Sequence, residues 1–227
     1  MKKIFLKYRH ALPLLIYGII YLSWFTHLEH TVTKNYHVIH MNIDDYIPFV
    51  EVFVIPYFLW FVYVAAVVMF FFFTNKDDYY RTCIFLFTGM TIFLIISTLW
   101  PNGHHLRPYV MPRDNIFTHM VAGLYRTDTA TNLWPSIHVY NSIGAHLAIK
   151  RSSYFKDKPI IQWASFVLAS SIVLSTVFIK QHSMFDVITA FCLAAIMYIV
   201  VYRYDLLLTL RHKLHNNRKS KTRPETI

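Results

Sequence analysis

The feature that most limits what this chain can fold into is a series of long apolar stretches separated by short polar ones. Six stand out, at 11–27, 49–73, 82–100, 135–149, 160–179 and 185–205. A bilayer core about 30 Å thick takes about 20 mostly apolar residues in a helix, because backbone in lipid must satisfy its own hydrogen bonds. Each stretch is therefore expected to be a transmembrane helix. Composition agrees: 56% of the residues are apolar and 15% charged, against about 25% charged in a soluble domain, which also excludes intrinsic disorder. The fourth stretch is short and carries His138, Asn141 and His146, so it should be shielded by the other helices. Pro56 in the second is tolerable where neighbouring helices take up the freed carbonyl. The expected fold is all-α, a polytopic membrane bundle of six transmembrane helices over residues 1–205, with a basic, loosely ordered cytoplasmic tail over 206–227. Met1-Lys2-Lys3-Ile4 begins like a signal peptide, yet no small-residue cleavage site follows, so the first stretch is expected to remain as a span.

The net charge of +10 is first a question of sidedness. If the six stretches span, seventeen Lys and Arg fall on the side of the termini and five on the other: Lys34, Arg107, Arg113, Arg126 and Lys180. The positive-inside rule then puts both termini in the cytoplasm. The basic excess reads as topology and attraction to anionic lipid, not as a nucleic-acid surface. Cys83 and Cys192 lie in apolar runs and read as buried thiols, since a disulfide framework needs more cysteines in polar loops.

The five outer basic residues run against the rule and cluster near histidines. The connection from Pro101 to Trp134 holds His104, His105, Arg107-Pro108, Pro112-Arg113 and Arg126-Thr127-Asp128-Thr129, and leads into Pro135-Ser136-Ile137-His138. Proline at a first helical position, with Ser136 and His138 in the first turn, would point free backbone N–H groups outward, where a phosphate would fit. Lys180-Gln181-His182-Ser183 opens the sixth stretch, and Asp186 follows His182 by four residues. On a helix that spacing puts imidazole and carboxylate on one face, so Asp186 can hold one ring nitrogen and leave the other for a ligand. The plain alternative is a helix cap beside a surface histidine. Arg113 and Arg126 have an ordinary reading as loop ion pairs or headgroup contacts. His27, His30, His37 and His40 have spacings that could bind a metal, but no cysteine or close carboxylate set completes a site. His146 reads as a hydrogen-bonded bundle residue.

The ordered pattern Arg107-Pro108, then Pro135-Ser136-x-His138, then Ser175-x(6)-His182-x(3)-Asp186 resembles the three signature motifs of the type 2 phosphatidic acid phosphatase superfamily of membrane lipid phosphatases. The likeness covers roughly residues 100–186. It departs at three positions: Trp100 stands where the first motif has lysine, Ile137 where the second has glycine, and Thr176 where the third has arginine. Two phosphate-binding cations are thereby missing, and Lys180 is the candidate to restore one. Thr131-Asn132 and Lys180-Gln181-His182 are also similar to the inositol phosphorylceramide synthase branch, which transfers a phospho-headgroup between lipids.

The resemblance implies a plasma-membrane enzyme, expected to be bacterial, that cleaves a lipid phosphate or polyprenyl diphosphate at the outer face. It assigns His182 as nucleophile, Asp186 as its orienting carboxylate and His138 as the acid for the leaving oxygen. Substrate contacts are expected from Arg107, Ser136, Ile137, Lys180 and Arg113. No metal or other cofactor is expected, and the partners are the bilayer and the lipid phosphate, not nucleic acid. The alternatives are a lipid phosphotransferase using an alcohol acceptor, and a non-catalytic lipid-binding protein.

Overall fold

In the computed structural model, residues 11–205 are described. They form seven helices: α1 (Ala11–Thr31), α2 (Val54–Thr74), α3 (Lys76–Leu99), α4 (Ile116–Thr127), α5 (Ile137–Arg151), α6 (Pro159–Phe178) and α7 (Met184–Tyr198). A short turn at Glu51–Phe53 leads into α2, and a wider turn at Ile199–Arg203 continues α7. With these included, five segments are long and apolar enough to cross a membrane: Ala11–Thr31, Glu51–Thr74, Lys76–Leu99, Pro159–Phe178 and Met184–Arg203. The tail expected over 206–227 lies outside the described residues.

The remaining stretch forms α5, whose 15 residues rise only about 22 Å, less than a bilayer core. It packs against α2, α3, α6 and α7 and buries nine residues, His138, Asn141 and Ser142 among them. A helix enclosed this way needs no apolar face toward lipid, which is why hydropathy marks it weakly. Its contact with α3 is close. A Cβ on Gly89 would sit 2.0 Å from the Tyr140 ring, and one on Gly144 would sit 2.7 Å from Phe85. In that space Tyr140 stacks on Phe85 with ring centroids 4.8 Å apart and donates from its hydroxyl to the Phe85 carbonyl at 2.7 Å.

Helix α4 lies in the connection where no helix was expected. Asn115 caps it, accepting from the N–H groups of Phe117 and Thr118 at 3.0 Å. Val121 and Leu124 pack on Val54, Tyr57 and Ile179, so α4 covers the ends of α2 and α6. On the same end of the bundle, His37–Val38 pairs in parallel with Asn102–Gly103, and Gly103 bridges to Thr131. One expectation fails in the membrane-facing part: Cys83 is buried, but Cys192 lies on an exposed face of α7. Apolar runs do not distinguish a face toward neighbouring helices from a face toward lipid.

Candidate active site

The turn between α6 and α7 carries the site. Lys180 takes a left-handed conformation, φ 54°, and turns the chain so that Ser183 caps α7, accepting from the Phe185 N–H at 3.2 Å. Asp186, at the third position of the helix, reaches back and accepts from the Ser183 N–H at 3.0 Å, completing a capping box. The same carboxylate oxygen lies 3.3 Å from Nδ1 of His182. His182 therefore precedes α7 instead of sharing a helical face with Asp186, and the reciprocal cap brings the two together. With Nδ1–H donating to Asp186, Nε2 keeps its lone pair, and it points at Nδ1 of His138, 3.5 Å away. His138, in the first turn of α5, lies against Tyr57 and Trp60 with centroids 4.5 and 4.3 Å off. The group is closed: His182 is 4% exposed, His138 8% and Asp186 0%. Burial first, then the charge of Arg107, hold the His182 imidazole below its ordinary pKa.

Arg107 sits in a polar network beside this group. Its guanidinium donates to the carbonyls of Thr129 at 2.8 Å and Tyr125 at 3.3 Å, stacks over the Tyr125 ring at 4.4 Å, and donates to the side-chain oxygen of Gln181. The Gln181 amide donates in turn to Asp128 at 2.9 Å, which also accepts from the Tyr57 hydroxyl at 3.0 Å. Burial raises the Asp128 pKa, and Tyr57 and Arg107 draw it back. The backbone carbonyl of Gln181 accepts from Nε2 of His104 at 2.9 Å, while Nδ1 of that ring accepts from the Leu106 N–H at 3.2 Å. This ring must be neutral to do both, and burial holds its pKa down to about 3. Glu29 of α1 reaches the same end, accepting from Thr129 Oγ1 at 2.6 Å and Asn132 Nδ2 at 3.0 Å.

No known protein family, curated protein or solved structure matches this chain.

The other expected site residues divide. Ser136 caps α5, accepting from the Val139 N–H at 3.3 Å, so the helix begins at Ile137 and Pro135 lies before the cap. A serine oxygen serves better as a cap than within the first turn. Ile137 packs its side chain into the apolar core, leaving only its backbone to face a ligand. Lys180 donates its ammonium to the carbonyl of Asp44 at 2.8 Å, so it is tied to the first connection and does not stand in for a missing cation. Arg113 is engaged by the segment before α2. It pairs with Glu51, which also accepts from Asn115 at 2.9 Å, and donates to the Phe49 carbonyl. This is the ordinary loop ion pair. Trp100 is exposed with His37 against its edge, and Thr176 returns its hydroxyl to the Val173 carbonyl at 2.8 Å, so neither supplies a cation. Arg126 likewise folds back on the Ala122 carbonyl of its own helix. His146 bonds Ser165 at 3.0 Å, as expected of a bundle residue. His40 pairs with Asp45 at 2.9 Å, and among the described residues no group of His, Cys, Asp or Glu could hold a metal.

Sequence reasoning missed Asp44, Asp128, Gln181 and Tyr57. The signal available for the two acids was their rarity: the chain has only 12 acidic residues, and these two stand in connections rich in histidine and arginine. The arrangement offers a neutral imidazole oriented by a carboxylate, a second imidazole within reach, and a guanidinium one residue away through Gln181. Those are the parts of nucleophilic catalysis on an anionic electrophile.

Proposed function

We propose that this chain is an integral membrane lipid phosphatase that works through a phosphohistidine, with six spans, both termini in the cytoplasm and the His182 group at the outer face of a bacterial plasma membrane. The observation that carries the reading is His182 itself: buried, held at Nδ1 by Asp186 and aimed at His138 through Nε2. Nε2 attacks phosphorus and the N–P bond forms as the P–O bond to the lipid breaks. The leaving oxygen takes its proton from His138. Water then attacks the phosphohistidine, gives its proton to His138, and phosphate leaves His182 with its lone pair restored. Arg107 and the first N–H groups of α5 would bear the charge of the phosphoryl oxygens.

The geometry also sets a condition. Near-attack placement needs phosphorus about 3–3.5 Å from Nε2, with the leaving oxygen in hydrogen-bond reach of His138. A phosphoryl group cannot occupy a 3.5 Å gap, so the two rings must part when substrate enters. A second reading, transfer to an alcohol acceptor, is favoured by the burial of both rings, because a closed site keeps water from the phosphoenzyme. The test gives purified protein phosphatidate and polyprenyl diphosphate, with and without added alcohols, and follows free phosphate, lipid products and acid-labile protein phosphate. Phosphate release with a labelled His182 supports the phosphatase. Product formed only with alcohol replaces it by the transferase, and absence of any phosphoenzyme refutes both.

A further inference from the structure

We propose that Asp44, in the first outer connection, is the positioning residue that fixes His182 for reaction, acting as an internal anion at the start of α7. This rests on the reading of His182 as the reactive group. Asp44 lies in a single turn, Asn42–Asp45, and is 1% exposed. Its Oδ2 accepts from Ser183 Oγ at 2.6 Å and from the Met41 N–H at 2.8 Å. Its Oδ1 accepts from the Met184 N–H at 2.8 Å, and its carbonyl accepts from the Lys180 ammonium at 2.8 Å. One residue, some 140 positions away in sequence, thus grips the chain on both sides of His182.

The helix does not need this contact to begin. Ser183 and Asp186 already form a complete capping box, which satisfies the Ser183 and Phe185 N–H groups locally and leaves the Met184 N–H to Asp44. Burying a further carboxylate there is costly unless it is fully bonded, and Asp44 is. What Asp44 adds is placement. It holds Lys180 in the strained left-handed turn and holds Ser183 against the first connection, so the imidazole between them has one position. It also fills the anion site that an open helix start would offer. Phosphate is then excluded from α7 and left to the α5 start, which carries His138 on the side of the His182 ring away from Asp186.

The test uses the full chain with Asp44→Asn, Asp44→Ala, Asp44→Glu and Ser183→Ala. Asp44→Ala should lower kcat by about 10²-fold, the scale of a misplacement of about 1 Å, with little change in KM. Added formate should restore part of the rate by occupying the vacated carboxylate position, and inorganic phosphate should inhibit this variant more strongly than the parent. Asp44→Asn keeps one acceptor for Met184 and should fall less. Wild-type kcat in Asp44→Ala, or a loss that formate does not relieve, overturns the proposal. A second readout needs no turnover: the rate at which diethyl pyrocarbonate modifies His182, followed by peptide mass spectrometry. It should rise in Asp44→Ala and in Ser183→Ala, and equal rates overturn the proposal. If the parent proves inactive on every lipid phosphate yet His182 is unmasked by these substitutions, the placement by Asp44 stands and the phosphatase reading falls. Should Asp44→Ala fail to fold, Asp44→Asn and Ser183→Ala carry both measurements.

Discussion

The two ends of the bundle are joined in opposite ways. At one end the connections are short and cap themselves. Asn75 alone links α2 to α3 and caps α3 through the Asp77 and Asp78 N–H groups, while Ser152 caps the turn after α5 and donates to Asp78 at 2.7 Å. At the other end two long connections and the short turn between α6 and α7 bind each other. Asp44, Glu29, His104, Asp128 and Gln181 bring residues 50 to 140 positions apart into one buried polar layer around His182. A local cap stabilises the helix that carries it. A buried network fixes a geometry, at the expense of groups that each need a partner. The difference teaches where a site is held: the end that maintains costly polar burial is the end that holds the paired His182 and His138.

The largest effects should test whether the polar end is reactive at all. His182→Ala should abolish both phosphoenzyme and product with every lipid phosphate. His138→Ala removes only the proton donor, so the loss should be about 10²–10⁴-fold on simple monoesters and much smaller on diphosphates or activated phenyl phosphates, whose leaving groups need no proton. Rates on the two substrate classes separate these roles. Equal losses for His138→Ala on both would remove it as the acid. A comparable loss from any substitution in the 74–79 turn would break the contrast between the ends.

Legibility followed the same division. The segments long and apolar enough to cross a membrane were readable because period and length act over neighbouring residues: the stretches 49–73 and 160–179 end within a few residues of α2 and α6. Helix α4 was overlooked although Asn115 and the spacing of Phe117, Met120, Val121 and Leu124 mark it locally. At the site, His182, His138 and Asp186 do meet, as their order in the chain suggested, although a capping box and not a shared helical face joins His182 to Asp186. Lys180 and Arg113 failed as ligands for one reason. Their charge was visible in the sequence, but the carbonyl of Asp44 and the carboxylate of Glu51 that claim them come from a connection far away in the chain. Asp128 and Gln181 were missed for the same reason, since their roles come from partners distant in the chain, Tyr57 and Arg107.

That network supplies the next effect in size. Asp128→Asn removes the buried negative charge that reaches Arg107 through Gln181 while keeping an oxygen for Tyr57. Activity should fall by about tenfold or more, mostly in kcat, since a guanidinium without its countercharge draws a phosphoryl group but no longer holds it in register. The check is a kcat and KM series beside a melting curve. An unchanged kcat with only a lowered melting temperature would reduce Asp128 to a structural group.

A smaller effect concerns pH. His104 has a folded pKa of about 3, below the ordinary value near 6.5 that it regains on unfolding. Above 6.5 the ring is neutral in both states. As pH falls from 6.5 toward 3, the unfolded chain takes up a proton that the folded one refuses, so stability is lost, at up to about 1.4 kcal/mol per pH unit. His182, also held below its ordinary value, adds in the same direction. Melting temperatures between pH 7.5 and 4.5 should therefore decline in the parent and decline less in His104→Gln. Parallel curves would show that the polar layer is not the acid-labile part.

The smallest effect belongs to the other end. Arg81 pairs with Asp205 at 2.8 Å and with Asp78 at 3.4 Å, and all three side chains are partly exposed, so solvent screens much of the attraction. Arg81→Ala should cost about 0.5–1 kcal/mol, which lowers the melting temperature by about 1–4 °C in a chain of this size. The caps from Asn75 and Ser152 remain, so α3 and the turn before α6 should keep their starts. Because neither side chain of this pair bonds to the His182 layer, kcat and the modification rate of His182 should equal the parent's. A drop in either would mean that α3 or α7 transmits strain from one end to the other. The two ends would then be one cooperative unit, and the contrast drawn between self-capped and cross-linked connections would describe only how they are built.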